Sequence, residues 1–95
     1  MSATQMAPTY KWIPCASGEL LRTCVSSHAP HYVDIITVDG LLLGNVWDRT
    51  ARSDVWPFPL AAQQAGERLI AELRLTDGRW SVRADASVGL LRWRA

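Results

Sequence analysis

An α+β fold is what the sequence predicts: one antiparallel β-sheet of about five to six strands, in the order β-β-β-β-α-β-β, with a single helix packed on one face. Three observations carry it. Asp39-Gly40 separates two β-rich runs, HYVDIITV and LLLGNVWD, which is the strongest short-range hairpin signal in the chain. Small and apolar residues recur at helical spacing from about Leu60 to Arg74. From Arg79 to Asp85 apolar and polar residues alternate at strand spacing.

In chain order, residues 1–8 carry no periodic pattern and are expected to form a flexible tail, with 9–95 as a single α+β domain. Thr9–Pro14 and Leu20–Ser26 read as short strands on either side of a Ser17-Gly18 turn. A two-residue turn at Asp39-Gly40, with positive φ at both positions, sets the hairpin register. It places Asp34 opposite Asn45, Ile35 opposite Gly44, Ile36 opposite Leu43 and His31 opposite Asp48. Both faces of the hairpin are then substantially apolar, although an antiparallel sheet covered on one side normally alternates apolar with polar. One helix covers one face, so the second face is expected to be exposed or shared.

Pro59 suits the first turn of the helix, where its missing N–H removes no hydrogen bond. Ala62, Ala65, Gly66, Leu69, Ile70 and Leu73 share one stripe, while Gln63, Gln64, Glu67, Arg68 and Glu72 face away. The three small residues allow the first half of the helix to lie close on the sheet. Asp77-Gly78 reads as the helix stop, with glycine in the left-handed conformation. Trp80, Val82 and Ala84 then point inward, and a last strand runs from Leu90 to Arg94.

Composition bounds the function. The 95 residues suffice for one core without metals or disulfides. A net charge of +1 does not make the whole molecule a magnet for nucleic acid or anionic lipid. Nine of the ten basic residues are Arg, whose planar fork suits carboxylates, phosphates and aromatic faces. MSATQMAPTY does not resemble a secretion signal, and no apolar run approaches the ~18 residues of a membrane span. No membrane role is therefore expected, and the expected compartment is a reducing cytoplasm in which the two cysteines are free thiols.

Chemistry, if any, would lie in Cys15, Cys24, His28 and His31. Their spacing, C-x8-C-x3-H-x2-H, contains neither a C-x2-C knuckle nor an H-x3-5-H helical pair, and so fits familiar zinc modules poorly. A thiol site drawn from Cys24, a histidine and Asp48 opposite His31 lacks a Gly-rich turn to stabilise an oxyanion. No nucleophile elbow, phosphate-binding loop or EF-hand spacing appears, and the nine carboxylates are dispersed. No catalytic residue and no cofactor are expected. The metal- or thiol-dependent enzyme stays as the least supported alternative.

Two segments point to contact instead. The loop NVWDRTARSDVWPFP carries Trp47, Arg49, Arg52, Asp54 and Trp56, and Trp and Arg are the residues most enriched at binding hot spots. A purely structural account stands beside that one. In it Trp56 and Phe58 fold back over the sheet–helix seam, and the two arginines pair with Asp48 and Asp54. The second segment carries Arg79, Arg83, Arg92, Trp93 and Arg94, an alternating basic and aromatic face that would suit an acidic protein surface or nucleic acid. Its edge strand is also a place for a sheet to extend into a partner, including a second copy.

The stretch from Val46-Trp-Asp-Arg through Trp-Pro-Phe-Pro-Leu-Ala-Ala-Gln-Gln-Ala-Gly-Glu-Arg-Leu-Ile-Ala-Glu-Leu resembles a strand–loop–helix seen in many small phage and plasmid proteins. In size and one-helix layout the chain is similar to several anti-CRISPR inhibitors. The resemblance is architectural and transfers no residues. It implies a non-enzymatic module that binds a protein partner, or a nucleoprotein complex, and inhibits or adapts it. The alternative is a nucleic-acid-binding accessory protein that uses the carboxyl-terminal Arg/Trp face.

Overall fold

The computed structural model describes residues 10–26 and 31–91. Among these, strands β1 (Ile13–Pro14), β2 (Leu20–Val25), β3 (Val33–Thr37) and β4 (Leu42–Asp48) precede helix α1 (Pro59–Glu72). Strands β5 (Arg74–Thr76), β6 (Arg79–Ser81) and β7 (Val88–Leu91) follow it. The fold is the expected α+β arrangement, with one short strand more, β5, directly after the helix. A five-stranded antiparallel sheet runs β1-β2-β3-β4-β7, and β5 and β6 form a separate hairpin. The expected tail, residues 1–8, lies outside the described residues.

Strand alternation decides what meets the helix. Leu21 and Thr23 on β2, Val33 and Ile35 on β3 and Val46 on β4 point to one side. They meet Ala62, Ala65, Leu69 and Ile70 of α1, and each fully buried aliphatic side chain contributes roughly 1.5–3 kcal/mol. The expected stripe is the buried one, with a single addition. Gln63 is also buried, and its Nε2 donates to Glu67 Oε2 one turn on at 3.1 Å. At Gly66 the helix lies close on the sheet, with no room for a Cβ between its backbone and the side chains of Thr23 and Val33.

The two Asp-Gly pairs exchange their expected roles. At Asp39-Gly40 the loop holds three residues: Gly40 N–H bonds Thr37 O (3.0 Å), Thr37 N–H bonds Leu41 O (3.0 Å), and only Gly40 has positive φ (84°). The Thr37 hydroxyl accepts from Leu41 N–H at 2.9 Å and closes the base of this wider turn. A bulge between Ile35 and Ile36 compensates, so that Ile36 pairs with Leu42 while Asp34–Asn45 and Ile35–Gly44 keep the expected register. Leu43, displaced by the bulge, joins the core.

Asp77-Gly78, read as a helix stop, is instead the two-residue turn. Both residues have positive φ (52° and 76°), joining β5 to β6 with Leu75 opposite Trp80. The helix ends earlier because Leu73 turns extended (φ −72°, ψ 140°) while remaining buried. Its carbonyl accepts from Ala16 N–H at 2.9 Å, which ties the helix end to the β1–β2 turn. The expected strand 79–85 also stops short, at Ser81, because the chain turns at 84–85 toward β7. Trp80 and Val82 still pack against the core, whereas Ala84 is exposed.

Candidate functional site

The helix touches all five strands of the sheet from one side. On the other side β2 presents Leu20, Arg22 and Cys24, β3 presents Asp34 and Ile36, β4 presents Leu42, Asn45 and Trp47, and β7 presents Leu91. Each of these positions alternates with a core residue or pairs with one that does. Trp12, just before β1, lies on the same side, since the Arg22 guanidinium stacks over its ring at 5.8 Å and over Tyr10 at 4.9 Å. Four large apolar residues from separate parts of this face are exposed: Trp12 (41%), Leu20 (44%), Leu42 (42%) and Leu91 (46%). Large apolar residues exposed together on one uncovered sheet face mark it as a candidate contact surface.

A polar centre interrupts it. Asn45 is buried and donates through Nδ2 to Asp34 Oδ1, with Cys24 on the other flank of Asp34. Burial pushes the Asp34 carboxyl above its ordinary range. A carboxyl with a higher pKa folded than unfolded holds more protons in the folded state. Stability therefore falls as pH rises from the unfolded value through the folded one, and the penalty is fully present above it. Asp34→Asn keeps an oxygen acceptor for Asn45 and removes the charge. It is expected to raise the urea midpoint at pH 7 and to leave it unchanged near pH 3. An equal gain at both pH values would assign the effect to packing instead.

The loop that the sequence singled out is mostly turned inward. Trp56 is buried, with Nε1 donating to Val46 O at 3.4 Å and its backbone N–H to His31 O at 2.9 Å. Arg49 Nη1 donates to the carbonyls of Arg83 (2.8 Å), Ala84 (2.8 Å) and Ala86 (3.1 Å). Asp48 Oδ1 accepts from Thr50 N–H (2.9 Å) and Ala51 N–H (3.0 Å), which winds the turn that ends at Arg52 with φ 56°. Among the described residues no ion pair joins Arg49 or Arg52 to Asp48 or Asp54. Arg52 is exposed, and Trp47 and Asp54 are half-buried. Phe58, expected to fold back over the seam beside Trp56, is exposed at the start of α1.

In the basic segment Arg79 is exposed, while Arg83 pairs with Glu72 and, at 3.8 Å, with Asp85. Arg92, Trp93 and Arg94 lie outside the described residues.

The cysteine–histidine cluster does not assemble among the described residues. Cys15 is buried on the helix side near Glu19 and Ser17, whereas Cys24 lies on the opposite face of the sheet, and both are free thiols. His31 does not face Asp48 as the register suggested. It bridges to Trp56, while Asp48 pairs with Ser53 and Val88. His28 lies outside the described residues, and no group of three metal-ligating side chains occurs among the rest.

The apolar sheet face was foreseen from the hairpin, whose two faces count as nearly equally apolar. The Arg22–Trp12–Tyr10 stack was not, since it depends on the residues before β1 running beside β2. No helix is long and apolar enough to cross a membrane. No family model matches the chain, and no curated protein or solved structure matches it at significant similarity.

Proposed function

We propose that the chain is a non-enzymatic protein-binding module that inhibits or adapts a larger partner, in the manner of an anti-CRISPR-type inhibitor from a mobile element. It engages that partner through the sheet face opposite α1. The observation that carries this reading is the exposure of Trp12, Leu20, Leu42 and Leu91 on that one face. Asp34 adds specificity. With no cation paired to it among the described residues, it invites a basic group from the partner, which would offset the penalty of its burial. The free thiols suit a cytoplasmic setting. The nucleic-acid reading gains less support, because Arg83, one of the arginines it rests on, is paired with Glu72 and Asp85.

Leu42→Asp/Leu91→Asp places two charges on exposed positions of the face and leaves the core intact. Tagged chain is expected to retain a stoichiometric partner from nuclease-treated host extract. The double variant should lose it at least tenfold with a thermal midpoint close to the parent, since charges set in an interface core cost several kcal/mol. Undiminished capture by the double variant would move the contact elsewhere. Capture abolished by nuclease and by Arg83→Ala/Arg92→Ala would favour nucleic acid.

A further inference from the structure

The Thr37–Leu41 loop and the strands of the β5–β6 hairpin leave a groove of about 400 Å³ between them. Val38 and Leu41 form one wall, from the Thr37–Leu41 loop, and Leu75 and Trp80 form the other, from the β5–β6 hairpin. Leu20 and Leu21 close its inner end. Val38 and Leu41 are the two most exposed large aliphatic residues described, at 61% and 60%, although a wider turn closed by Thr37 gives no reason for apolar tips there.

The charges on this groove have a single sign. Among the described residues that line it, Glu19 and Asp39 are the ionisable ones, and both are carboxylates. Glu19 is held in place and kept ionised. The Ser17 hydroxyl donates to its Oε1, and that same Ser17 oxygen accepts from Leu75 N–H at 2.8 Å, which locks the acid to the β5 wall. The hydrogen bond from Ser17, with one from its own backbone, holds the Glu19 carboxyl below its ordinary range. The groove thus joins an apolar slot, in the size range of small-ligand sites, to two carboxylates on its rim.

We infer that this groove is a second docking site, for a peptide segment that carries one aliphatic or aromatic side chain flanked by Arg or Lys. The apolar side chain fills the slot between Leu41 and Trp80, and the flanking cations pair with Glu19 and Asp39. Charge complementarity selects this occupant over an acidic or a purely apolar one. The site shares Leu20 with the sheet face but does not require that face to bind a partner.

The test uses the full ¹⁵N-labelled chain and three short peptides: acetyl-Gly-Arg-Leu-Arg-Gly-amide, its Glu-Leu-Glu counterpart and its Arg-Ser-Arg counterpart. The Arg-Leu-Arg peptide is expected to shift the amides of Val38 and Leu41 and the Trp80 indole, and to bind at least fivefold tighter than either counterpart. Glu19→Gln/Asp39→Asn keeps the Ser17 acceptor and a turn-forming residue, and should weaken that peptide about three- to tenfold, as expected for exposed ion pairs. Raising salt from 50 to 500 mM on the parent chain should weaken it similarly, which provides the same test without a variant. Leu42→Asp/Leu91→Asp should leave it unchanged. Equal binding of the three peptides, shifts confined to other residues, or indifference to both salt and the double substitution would each overturn the assignment.

Discussion

Gly66→Ala is expected to destabilise the fold by roughly 1–3 kcal/mol, against the direction of helix propensity. In an exposed helix the same change is favourable by about 1 kcal/mol, because alanine restricts the unfolded chain and retains its helical geometry. Here an added Cβ would stand 2.4 Å from Thr23 Cγ2 and 3.0 Å from Val33 Cγ2. Both neighbours are buried and β-branched, so neither can rotate away without meeting other core atoms. The helix must therefore lift from β2 and β3, and the loss spreads to Leu69 and Ile70 one turn on. Thr23→Ser deletes the clashing methyl. In the double variant it should restore at least half of the lost stability, with a coupling energy of about 1–2 kcal/mol. Urea unfolding followed by tryptophan fluorescence measures all four corners of the cycle. A Gly66→Ala chain as stable as the parent would mean that helix and sheet do not approach as closely as described.

That contact is one that the amino-acid pattern alone encodes. The run of Ala62, Ala65 and Gly66 on one stripe foretold a close approach, because small residues at helical spacing have few other uses. Helix and sheet were both legible from periodicity, and the uncovered face from a hairpin apolar on both sides. The turns were less so. The dipeptide Asp-Gly specifies a reversal but not its length. At Asp39-Gly40 the Thr37 hydroxyl selects a three-residue loop, and the bulge at Leu43 restores the register, so two departures cancel. At Asp77-Gly78 the strand before the turn, Arg74–Thr76, spans three residues, too few for a period of two to stand out against the helical pattern that precedes it. Side-chain destinations were least legible. Trp56 and Arg49 have the composition of a contact loop, yet their partners are backbone carbonyls as far as 37 residues away, which no local pattern encodes. The groove beside the Thr37–Leu41 loop was invisible for the same reason, since it exists only where that loop meets the β5–β6 strands from a distant part of the chain.

Arg49→Ala carries the second large effect, and it separates a structural arginine from a contact arginine. Its Nη1 gathers three carbonyls, those of Arg83, Ala84 and Ala86, and its backbone N–H bonds Ser87 O at 3.0 Å. The guanidinium also lies along Gly89, where an added Cβ would stand 2.9 Å from Nε. One charged donor thereby holds the turn that delivers β7 to the edge of β4. Truncation should cost about 1–3 kcal/mol, the range for a hydrogen-bonded charge whose loss leaves acceptors unmatched. Amide exchange at Ala86, whose N–H bonds Arg83 O, should accelerate with it. Arg49→Lys should recover only part, since an ammonium can reach the carbonyls but does not supply the flat guanidinium that also lies along Gly89. Gly89→Ala should mimic the truncation by displacing the guanidinium, and the two should be far from additive when combined. Because β7 carries Leu91 onto the uncovered face, Arg49→Ala should also weaken partner capture, but only as far as β7 loosens. A variant that keeps its urea midpoint and its Ala86 protection while losing the partner would place Arg49 in the interface itself, and the carbonyl clamp would then be incidental.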